Sequence, residues 1–169
     1  MALHDDLLNQ AEQLARWDPR RPRQVNLRRA VSSTYYALFH LLASETSALF
    51  AIEPSLAARI NRTLNHGEMK KSSTMIGNGK LPKSVQSPHG GYTIPSDLKT
   101  VTSTFVKLQE VRHEADYDLT KTFRRQEVLD YVQLARQAFE AWARIRKTDD
   151  ARLYLASFLL WKRWDEDPR

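Results

Sequence analysis

The chain has 169 residues, enough for one domain with a buried core, and no cysteine, which excludes disulfides, thiolate metal sites and a cysteine nucleophile. Lys and Arg number 26 against 20 Asp and Glu, so the formal charge is +6, a balance suited to an anionic partner such as nucleic acid. The longest strongly apolar run, Leu153 to Trp161, is broken by Ser157 and falls far short of the roughly 20 residues a membrane helix needs, and MALHDDLLNQ has acids where a secretory leader needs a basic stretch. A soluble, cytoplasmic protein with no membrane partner is the expectation.

Apolar residues recur at helical spacing and no segment alternates with period two, so the expected fold is all-α: an antiparallel helical bundle of five to six helices, residues 1–169 forming a single domain. The first helix covers about Leu3 to Trp17, with Leu7, Ala11, Leu14 and Ala15 as its apolar strip, and Asp18-Pro19 ends it. The linker DPRRPRQ is prolyl and basic. Arg16, Arg20, Arg21, Arg23, Arg28 and Arg29 crowd there, either as a solvated turn or as a phosphate-contacting patch. The second helix runs from about Gln24 to Ala51, its inner face Leu27, Ala30, Val31, Thr34, Tyr35, Leu38, Phe39 and Leu42. Beside that face lies a polar, aromatic-rich line of Arg29, Ser33, Tyr36 and His40, placed to border a binding groove. Pro54 starts a third helix with Leu56, Ala57, Ile60 and Leu64 inward, interrupted at Gly67. An irregular loop follows over about 76–95. Its GNGK is no phosphate loop, since the G-x-x-x-x-G-K-[ST] spacing and a preceding strand are missing. Ser96 caps a fourth helix to about Ala115, with Leu98, Val101, Phe105, Leu108, Arg112 and Ala115 on one face. The fifth spans about Arg124 to Lys147 on Val128, Tyr131, Val132, Ala135, Ala138, Phe139, Trp142 and Ile145. A last helix, about 149–164, is so apolar that it must cover the bundle or meet a second subunit.

Arg112 is the one charge on a buried stripe. A guanidinium there needs a partner, and Asp116, one turn on, or Asp118 just beyond it can supply one. As a structural pair these residues staple the helix end. As a functional site, Arg112 is a fixed cation for phosphate, with His113 or Tyr117 beside it as candidate proton carriers for metal-free RNA cleavage. RTLNHGEMK adds a second candidate: Arg62, His66 and Lys70 form a basic stripe if their helix is continuous. The five histidines, His4, His40, His66, His89 and His113, lack H-x3-H or H-E-x-x-H spacing, and G-x-S-x-G is absent, so no metal and no cofactor is expected.

AVSSTYYALFHLL followed later by RHEADYD resembles the HEPN superfamily, nearest to its bacterial branch with S-x-x-Y-Y-A-x-F-H-like and R-x-x-A-D-Y-like signatures. The matching positions are Ser32 or Ser33, Tyr35, Tyr36, Ala37, Phe39 and His40, then Arg112, Ala115, Asp116 and Tyr117. The resemblance implies an all-α bundle, a homodimer, and an RNA-directed role: a toxin-type metal-independent endoribonuclease, commonly paired with a nucleotidyltransferase-like antitoxin, or an RNA-binding relative without catalysis. Active family nucleases place His four to six residues after the Arg. From Arg112 that window holds Tyr117, Asp118 and Leu119, so the family's catalytic His has no counterpart and enzymatic activity stays open. Arg59 followed by His66 fits the spacing numerically but lies on the wrong helix. The alternative from another class is a non-enzymatic interaction module that docks through the last helix and the basic linker. An enzyme on small nucleotides has no phosphate cradle to support it.

Overall fold

A computed structural model describes residues 2–50, 53–86 and 92–166. Its helices are α1 (Leu3–Arg16), α2 (Gln24–Phe50), α3 (Pro54–Thr63), α4 (His66–Gly77), α5 (Ser96–Tyr117), α6 (Arg125–Ile145) and α7 (Asp149–Glu166), with a short 3-10 turn at Lys83–Val85. No strand occurs among the described residues, so the chain is all-α. None of the helices among these residues is long and apolar enough to cross a membrane. The expected end of the second helix at Ala51, and His89, Gly90 and Gly91 of the expected loop, lie outside the described residues.

Among the described residues seven helices stand where five to six were expected, chiefly because the third is two. The break is at Leu64 and Asn65, whose ψ angles of 122° and 128° are extended, and not at Gly67. Asn65 causes it: its side-chain oxygen accepts from the N–H groups of Gly67 (2.8 Å) and Glu68 (3.2 Å), capping a new helix that contains Gly67. The expected inner face of α3 is also not buried; Leu56 is 45 % exposed, and only Leu64 past the helix end is covered.

The chain divides into two compact units. The first comprises Met1–Leu41 and Thr104–Glu140. Its core takes Leu8, Ala11 and Ala15 from α1, Leu27, Ala30, Val31, Tyr35 and Leu38 from α2, Phe105, Leu108, Val111 and Ala115 from α5, and Val128, Val132, Ala135 and Ala138 from α6. Polar side chains bind the helix ends. Arg125 donates to the carbonyl of Ala15 in the last turn of α1 and to those of Asp18 and Pro19 just past the helix, the Ala15 and Pro19 bonds each at 3.2 Å. The Gln24 amide both donates to the Phe123 carbonyl (2.8 Å) and accepts from the Phe123 N–H (2.9 Å). Arg136 meets Glu12 at 2.6 Å.

The second unit comprises Leu42–Ser103 and Ala141–Arg169. Here α7 packs on α4 and on the 3-10 turn. Tyr154, Leu155, Phe158 and Trp161 are buried, so α7 is covered within its own unit. The Tyr154 ring lies 4.6 Å from Phe158 and 6.4 Å from Trp142, and its hydroxyl shares a 2.8 Å hydrogen bond with Ser73 Oγ. The GNGK stretch serves the fold. Gly79 takes φ +71°, its N–H donates to the Ile76 carbonyl (2.8 Å), and the Lys80 N–H donates to the Met75 carbonyl (2.9 Å). That double closure ends α4 with glycine at the left-handed position. Gly77, just before it, leaves no room for a side chain; a Cβ would fall 2.8 Å from Thr102 Oγ1.

Candidate functional site

The stripe of α5 enters the first unit as Phe105 and Leu108 and then reaches Arg112, whose side chain is 19 % exposed. A guanidinium so largely withdrawn from water is stable only with compensation. Asp116 Oδ2 lies 2.6 Å from Arg112 Nε, although the Nε–H is not aimed at the oxygen, so the contact is an ion pair without an aligned hydrogen bond. Arg112 Nη2 donates to Tyr36 Oη at 3.1 Å, and the guanidinium carbon lies 5.9 Å and 5.5 Å from the ring centres of Tyr35 and Tyr36. The second carboxyl oxygen of Asp116 accepts from Ser32 Oγ at 2.8 Å. Asp118, the other candidate partner, is used elsewhere. Its Oδ1 accepts from the Thr120 N–H (2.9 Å), the Thr120 hydroxyl (2.7 Å) and the Lys121 N–H (3.2 Å), and these bonds hold its carboxyl below the ordinary range.

Arg28 fixes where α2 meets the end of α5. Its guanidinium donates to the carbonyls of Ala115 (2.7 Å), Asp118 (2.8 Å) and Lys121 (2.5 Å), closing the exposed end of the helix. Between the two helices an open hollow of about 650 Å³ is lined by Val25, Arg28, Arg29, Ser32 and Tyr36 of α2 and by Arg112, Ala115, Asp116 and Tyr117 of α5. Its cations differ in kind. Arg28 is tied to carbonyls, and Arg112 is shared with Asp116 and Tyr36. Arg29 is exposed and makes no hydrogen bond or ion pair among the described residues.

The site residues expected from the sequence separate accordingly. Arg112, Asp116, Tyr117, Tyr36 and Arg29 come together in the hollow. Ser33 does not join them: it turns toward α1 and donates to Gln10 Oε1 at 3.2 Å, while its neighbour Ser32 faces Asp116. One residue is about 100° on a helix, which decides between two groove walls. His40 is not a lining residue; its ring lies 5.4 Å from Phe39 and 6.3 Å from Tyr36, and burial, with His4 nearby, holds its imidazole below the ordinary value. His113 is exposed and also outside the lining, with its ring 4.8 Å from Tyr117. Among the described residues, therefore, no histidine lines the hollow. Arg62 ends α3, whereas His66 and Lys70 belong to α4, so the break at Asn65 removes the single-face stripe expected of them. All three lie in the second unit.

Of the lining residues, Val25 is not among the candidates that the sequence suggests, and Arg28 figures there only within the basic cluster around the linker. Val25, Arg28 or Arg29, Ser32 and Tyr36 do share helical spacing, so the signal is a line that begins one turn before Arg29 and passes through Ser32 instead of Ser33. No family model matches the chain, and no curated protein or solved structure matches it either.

Proposed function

We propose that this chain is a HEPN-like, RNA-associated protein whose hollow in the first unit holds the sugar–phosphate backbone and does not cleave it. The observation that carries this reading is the convergence of an uncommitted cation, Arg29, with a positioned cation, Arg112, and two tyrosines, Tyr36 and Tyr117, on one open concavity. Arginine suits phosphate because its planar fork offers paired donors. Tyrosine rings offer stacking faces to bases of any identity. Tyr117 is suited to that role because it is 65 % exposed.

Binding is favoured over cleavage by what the hollow lacks. Transfer of a 2′-hydroxyl proton at neutral pH calls for a group that titrates there, and a phenol is a poor base. The lining offers carboxylate, phenols and guanidiniums. The test combines two assays on the purified protein. Single-stranded RNA should bind with a steep salt dependence, losing affinity between about 50 and 200 mM salt, and Arg29→Ala and Arg112→Ala should each weaken it. Incubation of total RNA in EDTA should leave the RNA intact. Cleavage abolished by Arg112→Ala would replace binding with the endoribonuclease reading, and absence of any RNA affinity would remove both. A homodimer and a nucleotidyltransferase-like antitoxin extend the same proposal, checked by solution mass with and without such a partner. Docking through the last helix has less surface to draw on, since Tyr154, Leu155, Phe158 and Trp161 are already buried within the second unit.

A further inference from the structure

The connection between α1 and α2 lies at the same end of the first unit as the hollow. Arg125 at the start of α6 covers the end of α1, and Arg28 in the first turns of α2 covers the end of α5. This connection is rich in proline and arginine, yet its backbone is pinned at several points. Besides the Arg125 bonds to the Asp18 and Pro19 carbonyls, the Asp18 carboxylate accepts from the Arg23 N–H (3.0 Å), from Arg23 Nε (3.0 Å) and from Asn26 Nδ2 (2.8 Å) of α2. Those bonds hold the Asp18 carboxyl below its ordinary range.

On this fixed scaffold three side chains have nothing to do for the fold. Trp17 is 66 % exposed, whereas Trp142 and Trp161 are buried and Trp164 is partly covered. Arg20 and Arg21 are exposed and make no hydrogen bond or ion pair among the described residues. The committed cations nearby, Arg16 with Glu12 and Arg23 with Asp18, show that acids are present at this end and leave these two unpaired. An exposed indole costs solvation, and a rigid loop that presents it beside free guanidiniums is the arrangement of a base-stacking platform with phosphate contacts. Val25, on the first turn of α2 two residues past Arg23, is both exposed and part of the hollow wall, which makes the surface continuous along the chain.

We infer that the bound strand is single-stranded and extends beyond the hollow, with a base stacked on Trp17 and phosphates on Arg20 and Arg21. This rests on the reading of the hollow as a phosphate site. A duplex keeps its bases stacked on one another, so only an unpaired strand can use an indole face.

The experiment uses the full chain with RNA oligonucleotides of about 3 and about 12 nucleotides and a hairpin of equal length to the longer one, a size range set by typical single-strand footprints. The longer single strand should quench tryptophan emission, and Trp17→Phe should remove most of that quenching. Trp17→Ala should weaken the longer strand about tenfold or more, and Arg20→Ala with Arg21→Ala should weaken it and lower its salt slope, all leaving the shorter strand unchanged. Thermal melting of these variants should match wild type, because the replaced side chains are exposed. If the longer strand binds, responds to Arg29→Ala and ignores Trp17→Ala, the hollow reading stands and the extension is overturned. If the hairpin quenches as well as the single strand, or a poly-glutamate peptide does so in place of RNA, the single-stranded assignment is wrong. If neither oligonucleotide binds, the hollow reading itself fails and takes the extension with it.

Discussion

The α4–α7 contact of the second unit and the α2–α5 hollow of the first treat their polar groups in opposite ways. In the α4–α7 contact, Ser73 and Tyr154 hydroxyls are fully buried and answer each other, and Ser73 Oγ also donates to the Met69 carbonyl at 2.6 Å. Burial pushes the Tyr154 phenol well above its ordinary pKa, so it stays neutral throughout the working range. In the hollow, by contrast, adjacent arginines divide the labour: among the described residues Arg28 serves three carbonyls and Arg29 serves none. The two buried hydroxyls are matched to each other, whereas the indole Nε1 groups of Trp142 and Trp161 in the same unit are buried without a hydrogen-bond partner among the described residues. A surface that does leave charge over has it available for a ligand.

The comparison breaks first if the largest effect falls in the wrong place. Tyr154→Ala should be the most damaging, costing about 4 kcal/mol, because a large buried ring leaves a cavity. A thermal or urea melt that loses less than Arg29→Ala does would refute the contrast. Next, Arg28→Ala should cost about 2 kcal/mol for three charge-assisted hydrogen bonds that are partly solvent-exposed, whereas Arg29→Ala should stay within about 0.5 kcal/mol. In RNA titrations Arg29→Ala should weaken binding while leaving the melt alone. Equal melting temperatures for the two variants would show that the division of labour is wrong. Gly79→Ala, at φ +71°, should cost about 1 kcal/mol through left-handed strain at the end of α4.

The smallest effect concerns pH and sharpens the account of His40. Its pKa in the folded chain is lowered from 6.5, first by desolvation and then by His4. The unfolded chain therefore binds the proton at a higher pH than the folded one, and stability is complete above about 6.5 and declines as pH falls from there toward the folded value. Urea midpoints at about pH 7.5 and about pH 5, on either side of the ordinary imidazole value, should differ less in His40→Gln than in wild type. An identical pH dependence in both would mean that His40 is not held neutral by its surroundings.

Much of the fold was legible because it depends on periodicity. Leu98, Val101, Phe105, Leu108 and Ala115 are all buried as their spacing requires, and so are Leu27, Ala30, Val31, Thr34, Tyr35, Leu38 and Leu42. Arg112 and Asp116 were legible for the same reason, as an i and i+4 pair on one face. What escaped depended on contacts between distant segments or on the choice between neighbours. Asn65 and Gly67 both signal a helix boundary, and only the bonds that the Asn65 side-chain oxygen accepts from the Gly67 and Glu68 N–H groups decide for Asn65. Ser32 and Ser33 look alike until α1 and Asp116 are in place. Leu56 carries the right spacing for an inner face, but spacing cannot say whether anything packs against it.

Arg28 has a temporal consequence as well. The three carbonyls it binds lie 87, 90 and 93 residues further along the chain. Contacts so remote in sequence require closure of a long loop before they return any energy, and they slow folding relative to local helix formation. During synthesis α1 and the start of α2 leave the ribosome well before Lys121, so for that interval Arg28 and the proposed binding surface are exposed without their α5 wall. A nascent chain halted before α5 has the basic end of α2 but no hollow, because α5 supplies the other wall.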